Sequence, residues 1–253
     1  MPWNTTTNHY RKFLKAEGVY LNSGSPVKGL LRFWGEWEPD SKVNLLGSGT
    51  PTQEHEPFIT IAKGRVVTPK CPYNNTDPFV FSDHFYYSLC QQYVIHPTPL
   101  RYLDKGSLIL FGSHKHDASG PYFALDTVFV VGDYRDYTGA NYLTTLAGFI
   151  PPHYDEIMDM SSYGPMQLRC YKGASYKAPF DGMYSFVPCK LASAPKFEQV
   201  RLTASVIPDL SVNQTQGKKF LHFTNIADIK KIWEDVREAV NKQGFLEGVE
   251  FNY

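Results

Sequence analysis

Apolar positions fall in short runs along most of the chain, and each run is bounded by Gly, Pro, Asn or Asp. GLLRFWGEWE (29–38), FITIAKGRVVT (58–68), FVFSDHFYYS (79–88), SLILFG (107–112) and FALDTVFVVGDY (123–134) are rich in β-branched and aromatic residues, which predicts strands. MQLRCYK, GMYSFVPCK and VRLTASVI continue the series in the second half. Two stretches carry helical spacing instead. One is weak, over Ala140–Ala147. The other opens at Thr224-Asn225-Ile226, has Asp228 in its first turn, repeats Ile229, Trp233, Val236 and Val240, and stops at Gly244. Trp233 falls on its apolar stripe, with Lys230, Lys231, Arg237 and Lys242 on the solvated side. Residues 1–26 read as a polar arm containing a helix-like HYRKFLKAEG, which Gly18 would end. The expected fold is α+β: a strongly bent mixed sheet or open β-barrel with the C-terminal helix packed on it, one domain over 27–253 following the arm.

The first of these strands departs from a plain core pattern. Alternation places Trp34, Glu36 and Glu38 on one face and Trp37 on the other. A large aromatic side chain and two carboxylates on one side suit a binding wall. The expectation is that Trp34 and Glu36 share a pocket wall while Trp37 enters the core.

Composition narrows the classes of function. Aromatic residues make up 15% of the 253, which marks a folded chain rather than a disordered one. The formal net charge is zero, so no basic excess supports a long nucleic-acid footprint, although a local patch is compatible with it. No stretch reaches the length of an apolar membrane span, and the N-terminus has no apolar signal core, so a cytoplasmic protein without membrane contact is expected. Cys71, Cys90, Cys170 and Cys189 lack tight ligand spacing, and in a reducing compartment they are expected as free thiols without zinc.

Several clusters could carry chemistry. In Glu54-His55-Glu56 the histidine lies between carboxylates that would favour its cation, making His55 either a general acid–base or part of a polar turn before a strand. Asn75, Thr76 and Asp77 lead through Pro78 into FVFSDHFYYSLCQQ, where Phe81, Cys90 and Gln91 could line a slot for a planar ligand. His114 to Asp117 sit at a hairpin tip. Asp126 interrupts the apolar strand that follows, so it must be functional or paired, for example with an Arg. Alternation places Ala124, Asp126, Val128 and Val130 on one face and Phe123, Leu125, Thr127 and Phe129 on the other. Phosphate-loop, dinucleotide and serine-hydrolase signatures are absent.

FWGEWEP, HEPF, NNTDPFVF, GSLILFGS, LDTVFVV and GMYSFVP together resemble an uncharacterised bacterial family over residues 30–190, with Ser82 standing where that pattern has Gly. At a coarser level, the KGSLILFGS and LDTVFVVGD strands resemble the paired strands of PUA, ASCH and YTH-like barrels. That resemblance implies an aromatic pocket for RNA, modified bases or small nucleoside derivatives. The expected function is binding, and processing by hydrolysis or group transfer, of a nucleotide or nucleobase-like small molecule without a cofactor or metal. Glu36, His55, Asp77 and Asp126 would be the catalytic groups. Trp34, Asn75, Phe81, Cys90 and Gln91 would bind the ligand. The alternatives are a non-enzymatic reader of nucleic acid or modified bases, and a phage or defence interaction protein.

Overall fold

A computed structural model of the chain describes residues 10–67, 76–93, 95–207 and 225–253. Strand β1 (Lys12–Asn22) pairs antiparallel along its whole length with β2 (Ser25–Gly35). Around this hairpin grows a sheet that also holds β3 (Ser41–Leu45), β4 (Gln53–Pro57), β11 (Val187–Leu191) and β13 (Leu246–Phe251), in the order β13-β11-β2-β1-β4-β3. The β1–β4 contact is parallel and the other pairs are antiparallel, so the sheet is mixed. Strand β13 pairs with β1 as well as with β11, which bends the sheet back on itself. A second sheet is built on β9 (Gly120–Tyr137), which pairs with β8 (Leu108–Asp117), β10 (Leu168–Gly173) and β12 (Val200–Leu202), while β7 (Tyr86–Tyr87) joins β10. Strands β5 (Ile61–Ala62) and β6 (Arg65–Val66) form a small separate hairpin.

The α+β class and the strongly bent mixed sheet are therefore present, with the C-terminal helix packed on them. Helices α1 (Tyr142–Thr145) and α2 (Tyr154–Ile157) are single turns, the first within the weakly helical stretch. Helix α3 (Ile226–Lys242) is the long one. Its Asn225 cap accepts the Ala227 N–H at 3.0 Å, a contact worth about 1 kcal/mol. Trp233, Val236 and Val240 are buried against Val128, Phe186 and Val249, each side chain contributing about 1.5–3 kcal/mol by leaving water. Gly244 takes a left-handed conformation just past the last turn.

The helix expected in HYRKFLKAEG is instead β1. Its residues show no alternation because β1 has partners on both edges and is buried on both faces. Gly18 is not a helix end. A Cβ there would lie 2.4 Å from the carbonyl oxygen of Glu250 on β13, so the glycine permits a close strand approach. From Lys12 onward, the segment expected as an arm is thus part of the sheet. The stretch around His55, which one reading made a turn, is strand β4.

Alternation in β9 is also broken. Phe111 pairs with Thr127 and Gly112 with Leu125, which leaves Asp126 as the extra residue of a bulge. The side chains on the two sides of the bulge change partners accordingly. Leu125, Val128 and Val130 join the core beneath α3, whereas Phe129 and Val131 join the larger aromatic core. The single face expected for Phe123, Leu125, Thr127 and Phe129 does not exist. Gly112 makes the bulge possible, since a Cβ on it would stand 2.2 Å from the Ala124 carbonyl oxygen and 2.7 Å from the Phe123 ring.

Candidate functional site

Arg11, just before β1, spans the gap between the two sheets. Its Nη1 lies 2.5 Å from Oε1 of Glu36, which follows β2, and its Nε lies 2.7 Å from Oδ2 of Asp126 on β9. Asp126 is fully buried. Its other oxygen, Oδ1, accepts a hydrogen bond from Gln199 Nε2 at 2.9 Å, and Gln199 Oε1 accepts one from Lys115 Nζ at 2.6 Å. A chain of polar side chains therefore runs from the β8 hairpin inward to Arg11. Close approach does not complete every bond. Arg11 Nη1 and Asp126 Oδ2 are buried, and neither makes a well-directed hydrogen bond. The Arg11 side chain is 21% exposed, although its Nη1 is buried.

Electrostatics follow from burial. Removal from water raises the Asp126 pKa, and Arg11, the Gln199 bond and Lys115 oppose that rise without cancelling it. For Arg11, burial disfavours the cation, but Glu36 and then Asp126 more than compensate, so its pKa is raised. The guanidinium is charged at any working pH.

Asp77 lies beside this cluster in a different role. Its Oδ1 accepts the Ser88 N–H at 3.1 Å, and its Oδ2 accepts the N–H groups of Leu89 and Cys90 at 2.6 and 2.7 Å. The carboxylate thus shapes the turn that carries Cys90 and Gln91. Burial pushes its pKa up to about 6 against the pull of those three donors. Thr76 Oγ1 accepts the Glu38 N–H at 3.1 Å, tying the segment before Asp77 to the segment after β2.

A prediction about pH follows, and its sign is fixed by the direction of this shift. The unfolded Asp77 ionises near its ordinary value, below the folded one. Its contribution to stability is fully present below about pH 4 and is lost as pH rises through about 6, a change of about 3 kcal/mol. The difference in unfolding free energy between the wild type and Asp77→Asn, which cannot titrate, should shift by most of that amount against the wild type between pH 4 and 7. A difference that stays flat over this range contradicts the assignment.

The four expected acid–base residues do not all meet. Glu36 and Asp126 are joined through Arg11, and Asp77 adjoins them through Cys90, whose thiol feels both Glu36 and Asp77. His55 lies elsewhere. Its Nδ1 is 2.8 Å from Ser41 Oγ, its ring meets Tyr10, and burial followed by the charge of Lys12 lowers its pKa. The cation expected from two flanking carboxylates is not favoured, because alternation in β4 sends those carboxylates to the opposite face. There Glu54 pairs with Lys15 and Arg32, and Glu56 with Lys15 and Lys42. Lys12 is itself buried, donates to the Trp37 carbonyl, and has its pKa lowered by desolvation.

The expected ligand-binding residues also separate. Trp37 is fully buried, as the opening pattern implied, although β2 ends at Gly35 before reaching it. Phe81 is enclosed by Phe33, Trp37, Phe79 and Tyr253, so its ring has no face left to stack a ligand. Trp34 is half-buried on Phe13, and its indole N–H donates to the Phe197 carbonyl at 3.0 Å. Gln91 holds a left-handed backbone at φ 60°, and its buried side-chain oxygen has no hydrogen-bond partner. Burial first, then Glu36 and Asp77, raises the Cys90 pKa, so its thiol is protonated at neutral pH. Cys90, Cys170 and Cys189 are free thiols; Asn75 and Cys71 lie outside the described residues.

Arg11, Lys115 and Gln199 were not anticipated. A carboxylate inside an apolar strand signals a cationic partner, but one sequence does not say which Arg reaches it. Among the described residues, no group of three or more His, Cys, Asp or Glu is placed to hold a metal, and no helix is long and apolar enough to cross a membrane. An open depression on α3, lined by Glu234, Arg237, Glu238, Asn241 and Lys242, shares no residue with the Arg11 cluster. Compared with protein-family models, curated proteins and solved structures, the chain shows no match.

Proposed function

We propose that the protein binds a nucleotide or nucleobase-like small molecule at the Arg11–Asp126 pair and acts on it by hydrolysis or group transfer. The observation that carries this reading is the imperfect hydrogen bonding of two buried charged atoms within their ion pairs, Arg11 Nη1 and Asp126 Oδ2, at a point where two sheets meet. Buried polar atoms are nearly always satisfied, so a donor and an acceptor in one cluster that both lack a well-directed hydrogen bond suit a ligand that offers both. The donor and acceptor edge of a base has that character, and a phosphate would engage the guanidinium edge. In this reading proton transfer is assigned to Asp126 and Glu36, the two carboxylates that Arg11 joins. Stacking is assigned to Trp34, the aromatic residue of the expected set that is half-buried where Phe81 is enclosed.

A thermal-shift panel of bases, nucleosides, mononucleotides and short oligonucleotides tests the reading. Mononucleotides should raise the melting temperature in a concentration-dependent way, and Arg11→Lys should remove most of the rise because a lysine cannot replace the planar donor fork. Stabilisation by oligonucleotides alone would identify a nucleic-acid reader instead. A panel with no response would overturn the proposal.

A further inference from the structure

We propose that Lys115 is a positioning residue that, by holding the side-chain amide of Gln199 in one orientation, keeps Asp126 as a pure acceptor with Oδ2 turned toward Arg11 and the ligand. An ammonium group only donates, so the Gln199 atom 2.6 Å from Lys115 Nζ must be its oxygen. The amide nitrogen is then committed to Asp126 Oδ1 at 2.9 Å. On the other side, Oδ2 faces the Arg11 Nε, which is also a donor. Asp126 thus stands between donors on both sides, and only an ionised carboxylate accepts from both. The arrangement is enclosed, since Gln199 and Asp126 are buried while Lys115 enters from the exposed end of the β8–β9 hairpin. The bulge at Asp126 brings its side chain opposite Gln199, which directly precedes β12.

The inference takes its purpose from the site proposed above, but its test needs no ligand. The charged groups acting on Asp126 are Arg11 before β1, Glu36 through Arg11, and Lys115 on β8. In the full chain, the carboxyl-carbon resonance of Asp126 is followed by NMR against pH in wild type, Lys115→Met and Lys115→Arg. Loss of the ammonium frees the amide to turn over, so Lys115→Met should shift the titration midpoint upward while Lys115→Arg returns it toward wild type. An unchanged midpoint in a folded Lys115→Met protein overturns the inference.

A second measurement uses the same geometry. Asp126→Asn sets an amide N–H against a donor whichever way it is turned, as long as Lys115 holds Gln199. Adding Lys115→Met lets Gln199 flip and accept from the new amide. The double variant should therefore melt at or above Asp126→Asn alone, although Lys115→Met lowers melting in the wild-type background. Losses that simply add would also overturn the proposal. A midpoint shift without any nucleotide response would keep Lys115 as the positioning residue and remove the ligand reading. The reverse pair of results would remove Lys115 and keep the site.

Discussion

Replacing Arg11 by Met should lower the unfolding free energy by about 3–5 kcal/mol, the range found when one partner of a buried ion pair is removed. Arg11 is the cation between Glu36 and the fully buried Asp126. Methionine keeps the stem's apolar contacts but leaves two carboxylates facing each other across the sheets. Part of the loss should return on acidification. The folded pKa of Asp126 is already raised by burial, and removal of its nearest cation raises it further. A raised carboxylate contributes its stability below the unfolded pKa and loses it as pH rises through the folded value. The Arg11→Met penalty, read from urea unfolding, should therefore be smaller at pH 4 than at pH 8. A penalty below about 1 kcal/mol, in the range of an exposed pair, would mean that Arg11 is not the tie between the sheets.

The second large effect is expected at a residue with no polar group. Gly112→Ala should cost about 3 kcal/mol, the upper end for overpacking, because the added methyl group meets the backbone oxygen of Ala124 rather than a yielding side chain. Gly29→Ala is the control. Its Cβ would meet the Tyr20 ring at 3.3 Å, where a side chain can give, and the change should stay within about 1 kcal/mol. Since Gly112 permits the bulge that leaves Asp126 unpaired in the ladder, Gly112→Ala should also weaken mononucleotide binding. Equal costs for the two glycines in denaturant unfolding would show that the bulge does not depend on Gly112.

These two residues mark what the sequence made legible and what it hid. The carboxylate at 126 was conspicuous because its neighbours are apolar, and the requirement for a partner followed from the cost of burying charge. The partner was hidden because Arg11 lies in a stretch whose strand is buried on both faces and so lacks a period of two. The glycine of GSLILFGS could be seen, but its reason is a backbone contact across β8 and β9 that only pairing reveals. His55 shows the opposite failure. Its neighbours in sequence are carboxylates, yet extension of β4 turns them away and leaves Lys12 as the charge that acts on it. The C-terminal helix was clear in advance because its apolar stripe, Asn225 cap and Gly244 stop all lie within one segment.

The most direct measurement is nitrogen-edited NMR of isotopically labelled protein titrated with guanosine, adenosine, cytidine and uridine monophosphates. The side-chain signals of Arg11 Nε and Gln199 Nε2 report on the two sides of Asp126, and the Trp34 indole, bonded to the Phe197 carbonyl, reports on the proposed stacking residue. Binding at the Arg11–Asp126 pair predicts that at least one mononucleotide moves the Arg11 and Gln199 signals together, with saturation, and that Lys115→Met alters the Gln199 response. Signals that stay fixed at millimolar nucleotide, or a saturable response confined to α3, would contradict it.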